Sequence, residues 1–427
     1  MLKRFERYFA VAMLLYLSGS FLGFLFPDSE FSMLRPESNR VLLALELAFY
    51  GITFALIALR WNRFVRGLLA GRWVLAVSVL AIASTAWSND PSITARRSLV
   101  LMGTTLFGIY FGSNFELEEQ VRILAKAFGA IVIFSFYISL FKPQYGINHD
   151  IHGGSWTGVF TQKNLLGRAM IVGIVIFLSA RKLVNAPTRW ILFAGACGLL
   201  VLSDSRTSQL VLLSMLMLAP IYSFIRSKGM TVVIPIFLGF GALLAAMAAA
   251  AVANSDALLM VMGRNPTLTG RTEIWKAIWH AITQQVFLGY GFDGFWGGIQ
   301  GKSADVILTL GWVAKHSHNG FLDIWLDLGI VGLALFLAGY FIAVWRAVQL
   351  LRRHAGSGAF WPAHYLAFML LYHLTEGPIL RQNSIYWALY VAVVVCVHAK
   401  HSPAIEVSTE EVYEGEELET QLDYLPG

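Results

Sequence analysis

The chain has 427 residues, of which 57% are hydrophobic and only 14% are charged, and its formal net charge is +6 at pH 7. A soluble domain of this length carries about a quarter charged residues, so the composition excludes an ordinary soluble enzyme. The two cysteines, Cys197 and Cys396, lie within apolar runs, so a disulfide framework is not indicated either.

Apolar runs of about 20 residues recur along the chain, and each is long enough to cross a bilayer core of about 30 Å. They predict an all-α, polytopic integral membrane protein with about twelve transmembrane helices. The predicted spans are 9–26, 41–59, 71–88, 98–113, 122–141, 164–180, 189–203, 207–225, 231–253, 319–345, 361–377 and 384–399. One large loop, 254–318, separates the ninth span from the tenth. The first span is predicted to be a retained helix, because no small-residue cleavage site follows it.

Basic residues fix the predicted orientation, since cytoplasmic loops carry an excess of Lys and Arg. Five basic groups fall on one side of the predicted topology. They are Lys3, Arg4 and Arg7; Arg60, Arg63, Arg66 and Arg72; Arg181, Lys182 and Arg189; Arg226 and Lys228; and Arg346, Arg352 and Arg353. We therefore expect a multi-pass membrane protein with both termini cytoplasmic. The outer side then receives the large loop and the segments 142–163, 203–209 and 376–383.

The C-terminal segment, 401–427, carries eight acidic residues and no Lys or Arg, so the remaining chain has a formal charge of +14. A segment this polar cannot pack a core, and it is predicted to be a disordered cytoplasmic tail. Residues 1–400 show neither an internal repeat nor a second folded domain, so they are predicted to form one transmembrane domain.

The outer segment NHDIHGGSWTGVFTQKN precedes the sixth span. His149, Asp150 and His152 suggest a metal site, because two histidines and one carboxylate suffice for some zinc centres. Nothing in the sequence fixes their geometry, and we predict neither a metal nor another cofactor. Lys163 and Asn164, at the start of the span, are better placed to contact a phosphate or a sugar.

The turn LSDSRTSQL, 202–210, places Arg206 between two apolar spans and surrounds it with hydroxyl side chains. A guanidinium held in such a turn suits bidentate phosphate binding. The alternative is an arginine at a helix end whose charged head reaches the membrane interface.

The segment TGRTEIWKAIWHAI, 269–282, predicts an amphipathic helix on the membrane surface, with Trp275 and Trp279 one turn apart. Arg271 lies in its first turn. This arginine is placed to face a phosphate or, alternatively, to pair with Glu273 or with lipid headgroups.

The motif GYGFDGFWGG, 289–298, alternates glycines with aromatic residues. It lacks the Lys-Ser/Thr end of a P-loop and does not follow a strand, so nucleotide binding is not indicated. The aromatic faces could stack on sugars, and an ordered loop resting on the membrane fits equally well.

The stretch AKHSHNGFLDIWLDLGIVGL opens the tenth span and places His318 at its outer end. A neutral imidazole there could accept a proton from a sugar hydroxyl, because its pKa lies near the operating pH. Alternatively, it merely hydrates the helix start. Gly329 and Gly332 are predicted to lie within the helix and to let neighbouring helices approach. His316 is predicted to point to a different face of any helix formed there.

Together these segments place Lys163, Arg206, Arg271, Lys315 and His318 on the outer face of the membrane. Fixed cations suit the phosphates of a lipid pyrophosphate leaving group, and the attacking hydroxyl needs a base. The composition permits this chemistry without establishing it. Because there is no nucleotide pool outside the cytoplasm, a transferase on that side needs a lipid-linked donor.

Five motifs in this order resemble the O-antigen ligase and O-antigen polymerase (Wzy-C) superfamily, in particular the rhizobial-type exopolysaccharide polymerases. The motifs are WTGVFTQKNLLG at 156–167, SDSRTS at 203–208, GRTEIW at 270–275, LGYGFDGFW at 288–296 and HN-x9-GxxG at 318–332. Each motif is weak alone, and the resemblance covers roughly residues 90 to 400.

The resemblance implies a metal-independent glycosyltransferase of the bacterial inner (plasma) membrane that moves glycans from undecaprenyl pyrophosphate to an acceptor at the periplasmic face. Carried over by position, Arg206 and Arg271 would hold the donor pyrophosphate, and His318 would orient or deprotonate the acceptor hydroxyl. The supporting substrate-binding residues would be Lys163, Asn164 and Asn319. Lys315 has no firm counterpart in the family and is added for its charge alone.

The preferred interpretation is a polymerase that joins lipid-linked oligosaccharide repeats into exopolysaccharide. An O-antigen ligase that transfers the glycan to lipid A core is the closest alternative. Two further alternatives rank below the ligase: a transporter or flippase of lipid-linked sugars, and a non-catalytic assembly factor. The expected partners are the lipid-linked oligosaccharide, the bilayer and proteins of export and chain-length control. No nucleic-acid partner is expected.

Overall fold

The computed structural model describes residues 1–21, 40–149, 153–227, 271–298, 301–353 and 357–399. Within these ranges the chain is helical, and no strand is formed. The helices are α1 (Leu2–Leu17), α2 (Arg40–Leu59), α3 (Trp61–Ala70), α4 (Arg72–Ala83), α5 (Pro91–Asn114), α6 (Leu117–Phe141), α7 (Lys163–Ser179), α8 (Ala186–Leu202), α9 (Arg206–Ser227), α10 (Arg271–Gln284), α11 (Ala304–Leu310), α12 (Gly320–Arg353), α13 (Phe360–His373) and α14 (Ile385–Ala399).

A helix lies at every predicted span except the ninth, 231–253, which falls outside the described residues. Among those residues, three helices, α2, α6 and α12, are long and apolar enough to cross a membrane. The prediction of an all-α membrane protein is thus confirmed, whereas the number of twelve spans stays a prediction. The segment after the second predicted span, taken as a loop, is helix α3. Together with α4 and the turn that follows it, α3 forms a pair bent by 84°.

The main core is centred on α5 and α14, which pack along much of their lengths. Glycines make this close approach possible. A Cβ atom at Gly108 would lie 2.7 Å from the Cβ of Val391, and one at Gly112 would lie 2.8 Å from the carbonyl oxygen of Ala392. Substituting either glycine would therefore force the two helices apart.

One end of the bundle is held by ion pairs between helices. Arg60 at the end of α2 donates to the buried carboxylate of Glu6 in α1 over 2.8 Å, and Arg7 pairs with Glu119 in α6. These residues belong to the end that the basic residues predict to be cytoplasmic. The candidate functional residues lie in other turns of the chain.

Helix α12 is broken at Gly329, whose backbone has φ 66° and ψ −173°. The backbone groups freed by the break bond to residues 286–291, which we call the strap. The bonds run from Tyr290 N–H to Leu326 O (2.9 Å), Gly291 N–H to Asp327 O (2.9 Å), Ile330 N–H to Val286 O (2.8 Å) and Val331 N–H to Phe287 O (3.4 Å). Irregular backbone at membrane depth is tolerated only where such partners exist.

This arrangement corrects the prediction for Gly329. Gly329 does not lie within a regular helix, and the group that approaches it is the Phe287 carbonyl of the strap rather than a neighbouring helix. The glycine-aromatic motif forms a loop that bonds to other parts of the chain. It lies between α12 and the turn before α5, where Asn89 N–H donates to Tyr290 O (3.1 Å) and Phe292 N–H donates to Ser84 Oγ (2.9 Å).

Replacing Gly329 with alanine should destabilise the protein by at least ~2 kcal/mol, because its φ is left-handed and a Cβ would overlap the strap carbonyl. The measurement is the thermal unfolding midpoint of the detergent-solubilised protein. Gly51→Ala is the matched control, since Gly51 lies inside α2 with nothing within 4 Å of a Cβ. Equal midpoints for the two variants would show that the break does not depend on glycine.

Candidate active site

Glu376 joins two of the predicted functional segments. It follows α13, where its N–H donates to Tyr372 O (3.0 Å), and its side chain is only 6% exposed. One carboxylate oxygen accepts a hydrogen bond from Thr207 Oγ1 (3.4 Å), and the other lies 3.7 Å from His318 Nδ1. A single buried carboxylate therefore connects the turn of Arg206 with His318. Sequence reasoning missed Glu376, because a lone acidic residue in a short loop carries no pattern.

His318 and His316 lie side by side in the turn before α12. Their ring centroids are 4.2 Å apart, and His316 Nδ1 accepts the backbone N–H of His318 (3.1 Å). Burial lowers the pKa of His316 to about 3, with a further contribution from His318, so its imidazole is neutral. The prediction that His316 points to a different face assumed a helix at this position, and the segment is a turn in which the two rings lie together. Lys315, by contrast, is exposed.

Asn319 is the N-cap of α12. Its Oδ1 accepts from the N–H groups of Phe321 (3.0 Å) and Leu322 (3.2 Å), as preferred capping residues do, and its Nδ2 donates to Leu374 O (3.2 Å). The amide thus ties α12 to the loop that carries Glu376. These bonds occupy the side chain predicted to contact substrate and give it a positioning role.

The turn between α8 and α9 lies against the start of α7. Ser205 Oγ donates to Asn164 Oδ1 over 3.0 Å, and Lys163 Nζ lies 3.5 Å from Asp204 Oδ2. Arg206, the first residue of α9, is exposed and forms no ion pair with any residue in the described ranges. Three predicted residues are therefore brought together, and the Arg206 guanidinium is available for an anionic ligand.

Two further arginines lie beside the site. In α7, the guanidinium of Arg168 lies 3.9 Å from the ring centre of Tyr386 and 5.5 Å from that of Tyr372. Its buried Nε makes no hydrogen bond in the described part of the chain. Arg381 is exposed, in the loop between α13 and α14. The signal for Arg168 was its position inside an apolar span, where a charged residue is expensive and usually functional.

Carboxylates continue the site along α12. Asp323 and Asp327 are buried one turn apart, and Asp323 Oδ1 accepts the N–H of Ser317 (2.9 Å). Asp293 in the strap's continuation pairs with Arg97 at 3.0 Å. Within the described residues, no group of three or more His, Cys, Asp or Glu side chains is arranged to hold a metal ion.

The metal hypothesis drawn from NHDIHGG concerned three residues of the segment before α7. His149 is exposed, while Asp150 and His152 lie outside the described residues.

Helix α10 begins at Arg271, whose side chain lies outside the described residues. The predicted amphipathic helix is present. Ile278 and Ile282 on it are buried in a second core cluster, whereas Trp279 is exposed. On the same helix, Trp275 Nε1 donates to the carbonyl of Ser317 (3.0 Å), next to His318.

This arrangement can serve a group transfer to a hydroxyl. The Glu376 carboxylate lies 3.7 Å from Nδ1 of His318, which makes no hydrogen bond within the described residues, so it acts on the ring through its charge. Nε2 is then the nitrogen that can take a proton from an acceptor. Arg206, at the far end of the Thr207–Glu376 bond, can hold a phosphate. His318 and the residue after Arg206 thus both lie against one buried carboxylate.

Comparison with known proteins concerns the same part of the chain. Residues 190–337 match the family model described as O-antigen ligase. The exopolysaccharide production protein ExoQ of Rhizobium meliloti is 24% identical over 341 residues, which cover 72% of this chain and 76% of ExoQ. A candidate polysaccharide ligase of Rickettsia felis is 28% identical over 258 residues, covering 56% of this chain and 58% of that protein.

These matches confirm the resemblance to the O-antigen ligase and polymerase superfamily, and they support polysaccharide polymerase or ligase activity. The segment matched by the family model contains Arg206, Arg271 and His318. Glu376 and Arg168 lie outside it.

Glu376→Gln keeps the size of the side chain and removes its charge, so His318 should lose its orienting partner. We expect at least about a tenfold fall in polymer or ligated product per unit of protein, with an unchanged melting temperature. Asp305→Asn, an exposed carboxylate at the start of α11, is the control. Full activity in Glu376→Gln would mean that His318 acts without this carboxylate.

Proposed function

We propose that this chain, which resembles ExoQ along most of its length, is a polymerase of the bacterial inner membrane. It joins undecaprenyl-pyrophosphate-linked oligosaccharide repeats into exopolysaccharide at the periplasmic face. The proposal rests on the position of Glu376. Its carboxylate lies 3.7 Å from His318 on one side, and on the other it accepts a hydrogen bond from Thr207, the residue after the exposed Arg206. This arrangement provides a base for the acceptor and a cation for the donor at one site.

In this mechanism, His318 Nε2 takes the proton of an acceptor sugar hydroxyl. The hydroxyl oxygen forms a bond to the anomeric carbon of the donor, and the bond from that carbon to the phosphate oxygen breaks. The bonding electrons leave with undecaprenyl pyrophosphate. Arg206 and Arg271 stabilise the negative charge that develops there, so the proposed reaction needs no metal.

The periplasmic location follows from the charge distribution of the sequence. Hydrogen bonds link four segments in series: the start of α7 to the turn of Arg206, this turn to the loop after α13, and this loop to the start of α12. Each belongs to a segment that the basic residues predict to be outside. Both termini are then cytoplasmic, residues 1–400 act as one transmembrane domain, and the acidic tail, 401–427, is available to cytoplasmic partners. Proteins of export and chain-length control are the proposed partners of the product.

A ligase that transfers the glycan to lipid A core is the second candidate, because the family model that matches residues 190–337 is described as O-antigen ligase. The proposed chemistry of His318 and the arginines is the same in both cases, and only the acceptor differs. The similarity to ExoQ covers more of the chain, and for that reason we place the polymerase first.

His318→Ala should lower product formation by about 100-fold or more, the usual contribution of a general base. The assay uses purified protein in liposomes with extracted undecaprenyl-pyrophosphate repeat units and no ion gradient. It measures product length on a gel and released undecaprenyl pyrophosphate. His280→Ala, on the exposed side of α10, is the control and should retain the ladder.

The wild-type result separates the candidate functions. A ladder from repeat units alone supports a polymerase. Product that forms only after lipid A core is added would identify a ligase and refute the polymerase. No product with either acceptor would refute both enzymes and leave transport or assembly as the function.

Arg271→Lys and Arg206→Lys should each lose at least about tenfold in turnover, because lysine keeps the charge but not the bidentate fork. The loss should appear in initial rates measured over a range of donor concentrations. Arg66→Lys, an exposed residue of α3, controls for the substitution itself. Near-normal turnover in Arg271→Lys would rule out bidentate pyrophosphate binding at that position.

A further inference from the structure

Ser317 is fully buried, and each of its polar groups makes a hydrogen bond. Its N–H donates to Asp323 Oδ1 (2.9 Å), and its carbonyl accepts from Trp275 Nε1 (3.0 Å). Its hydroxyl donates to Asn319 O (2.6 Å) and accepts from Asn319 N–H (3.0 Å). The residue before His318 is therefore fixed by α10 on one side and by α12 on the other.

His318 itself has a φ of 56°, in the left-handed region that non-glycine residues rarely adopt. Such a conformation persists only where the surrounding structure over-determines it. The bonds to Ser317 and the bond from His318 N–H to His316 Nδ1 supply that constraint. In this conformation the imidazole of His318 lies beside Glu376.

Trp275 also lies on the helix that begins with Arg271, one turn further along. The flanking residues Ile274 and Ile278 are fully buried, so this helix is anchored in the second core cluster. A shift of α10 would move the indole of Trp275 and, through the Ser317 carbonyl, the backbone of His318.

We propose that Trp275 is a positioning residue, which holds the backbone of Ser317 so that His318 stays aligned for proton transfer. It links the helix of the proposed donor-binding arginine to the proposed base, and the inference rests on the polymerase or ligase function proposed above. Asp323 anchors the same residue from α12. Neither side chain contacts the reacting atoms.

The test compares Trp275→Phe with Trp279→Phe in full-length protein reconstituted in liposomes. Phenylalanine at 275 keeps an aromatic ring and removes the N–H donor. Trp279 lies one turn along α10, is 52% exposed and packs edge-to-face on Trp325 at 5.5 Å. The quantities measured are kcat and the KM for undecaprenyl-pyrophosphate repeat units, from the rate of undecaprenyl pyrophosphate release.

We expect Trp275→Phe to lower kcat by about tenfold while its donor KM stays within about twofold, since misalignment affects the chemical step more than donor binding. Trp279→Phe should change neither constant by more than about twofold. Equal kcat values in the two variants would overturn the proposal, and so would a loss confined to the donor KM.

A second pair of variants tests the anchor from α12 if Trp275→Phe is poorly folded. Asp323→Ala should reproduce the fall in kcat, and Asp323→Asn, which keeps an oxygen acceptor for Ser317 N–H, should recover most of it. Equal losses in both variants would overturn the proposal. A wild-type protein that releases no undecaprenyl pyrophosphate would instead refute the proposed function, so the two failures are distinguishable.

Discussion

The break in α12 is the constraint on which the rest of the site depends. A helix interrupted at Gly329 leaves carbonyl and N–H groups without helical partners, and in a membrane protein these groups must be satisfied by other protein segments. The strap satisfies them, and it is itself bonded to the turn before α5. The first part of α12, from Gly320 to Leu328, is therefore held from a distant part of the sequence. His318 lies two residues before this part of α12, so the position of the proposed base depends on the break.

The polar groups around this end are satisfied mainly by residues distant in sequence. Asn319 bonds to the loop after α13, Glu376 accepts from Thr207, and Ser317 is shared between α10 and α12. In a site of low dielectric, each of these bonds is strong, and each unpaired group is costly. Arg168 Nε is a buried atom without a hydrogen-bond partner in the described residues, and its guanidinium lies against the ring of Tyr386.

Much of this fold follows from hydrophobic patterning, because apolar runs of spanning length leave the backbone little alternative to helix. The break does not follow from it. The spacing of Gly329 and Gly332 fits two structures equally well: a regular helix that packs closely on another helix, and a helix broken at a glycine with a left-handed backbone. The glycine pattern also does not indicate which segment of the chain will pack against Gly329. The grouping of Lys163 and Asn164 with the turn of Arg206 was predictable from topology. Glu376 was not, because its role arises only from a tertiary contact.

The residues of the candidate site come from two parts of the chain, one inside and one outside the segment matched by the family model. This matters for the choice between polymerase and ligase. His318 and Arg206 lie within the segment matched by the O-antigen ligase family model, whereas Glu376, Arg168 and Arg381 lie outside it. A base and phosphate-binding cations serve any hydroxyl acceptor, so they cannot by themselves select between a growing glycan and lipid A core. Selection requires contacts to the acceptor beyond its reacting hydroxyl. The loop after α13 borders His318 and carries the exposed Arg381, and for that reason it is the part of the described chain best placed to make such contacts.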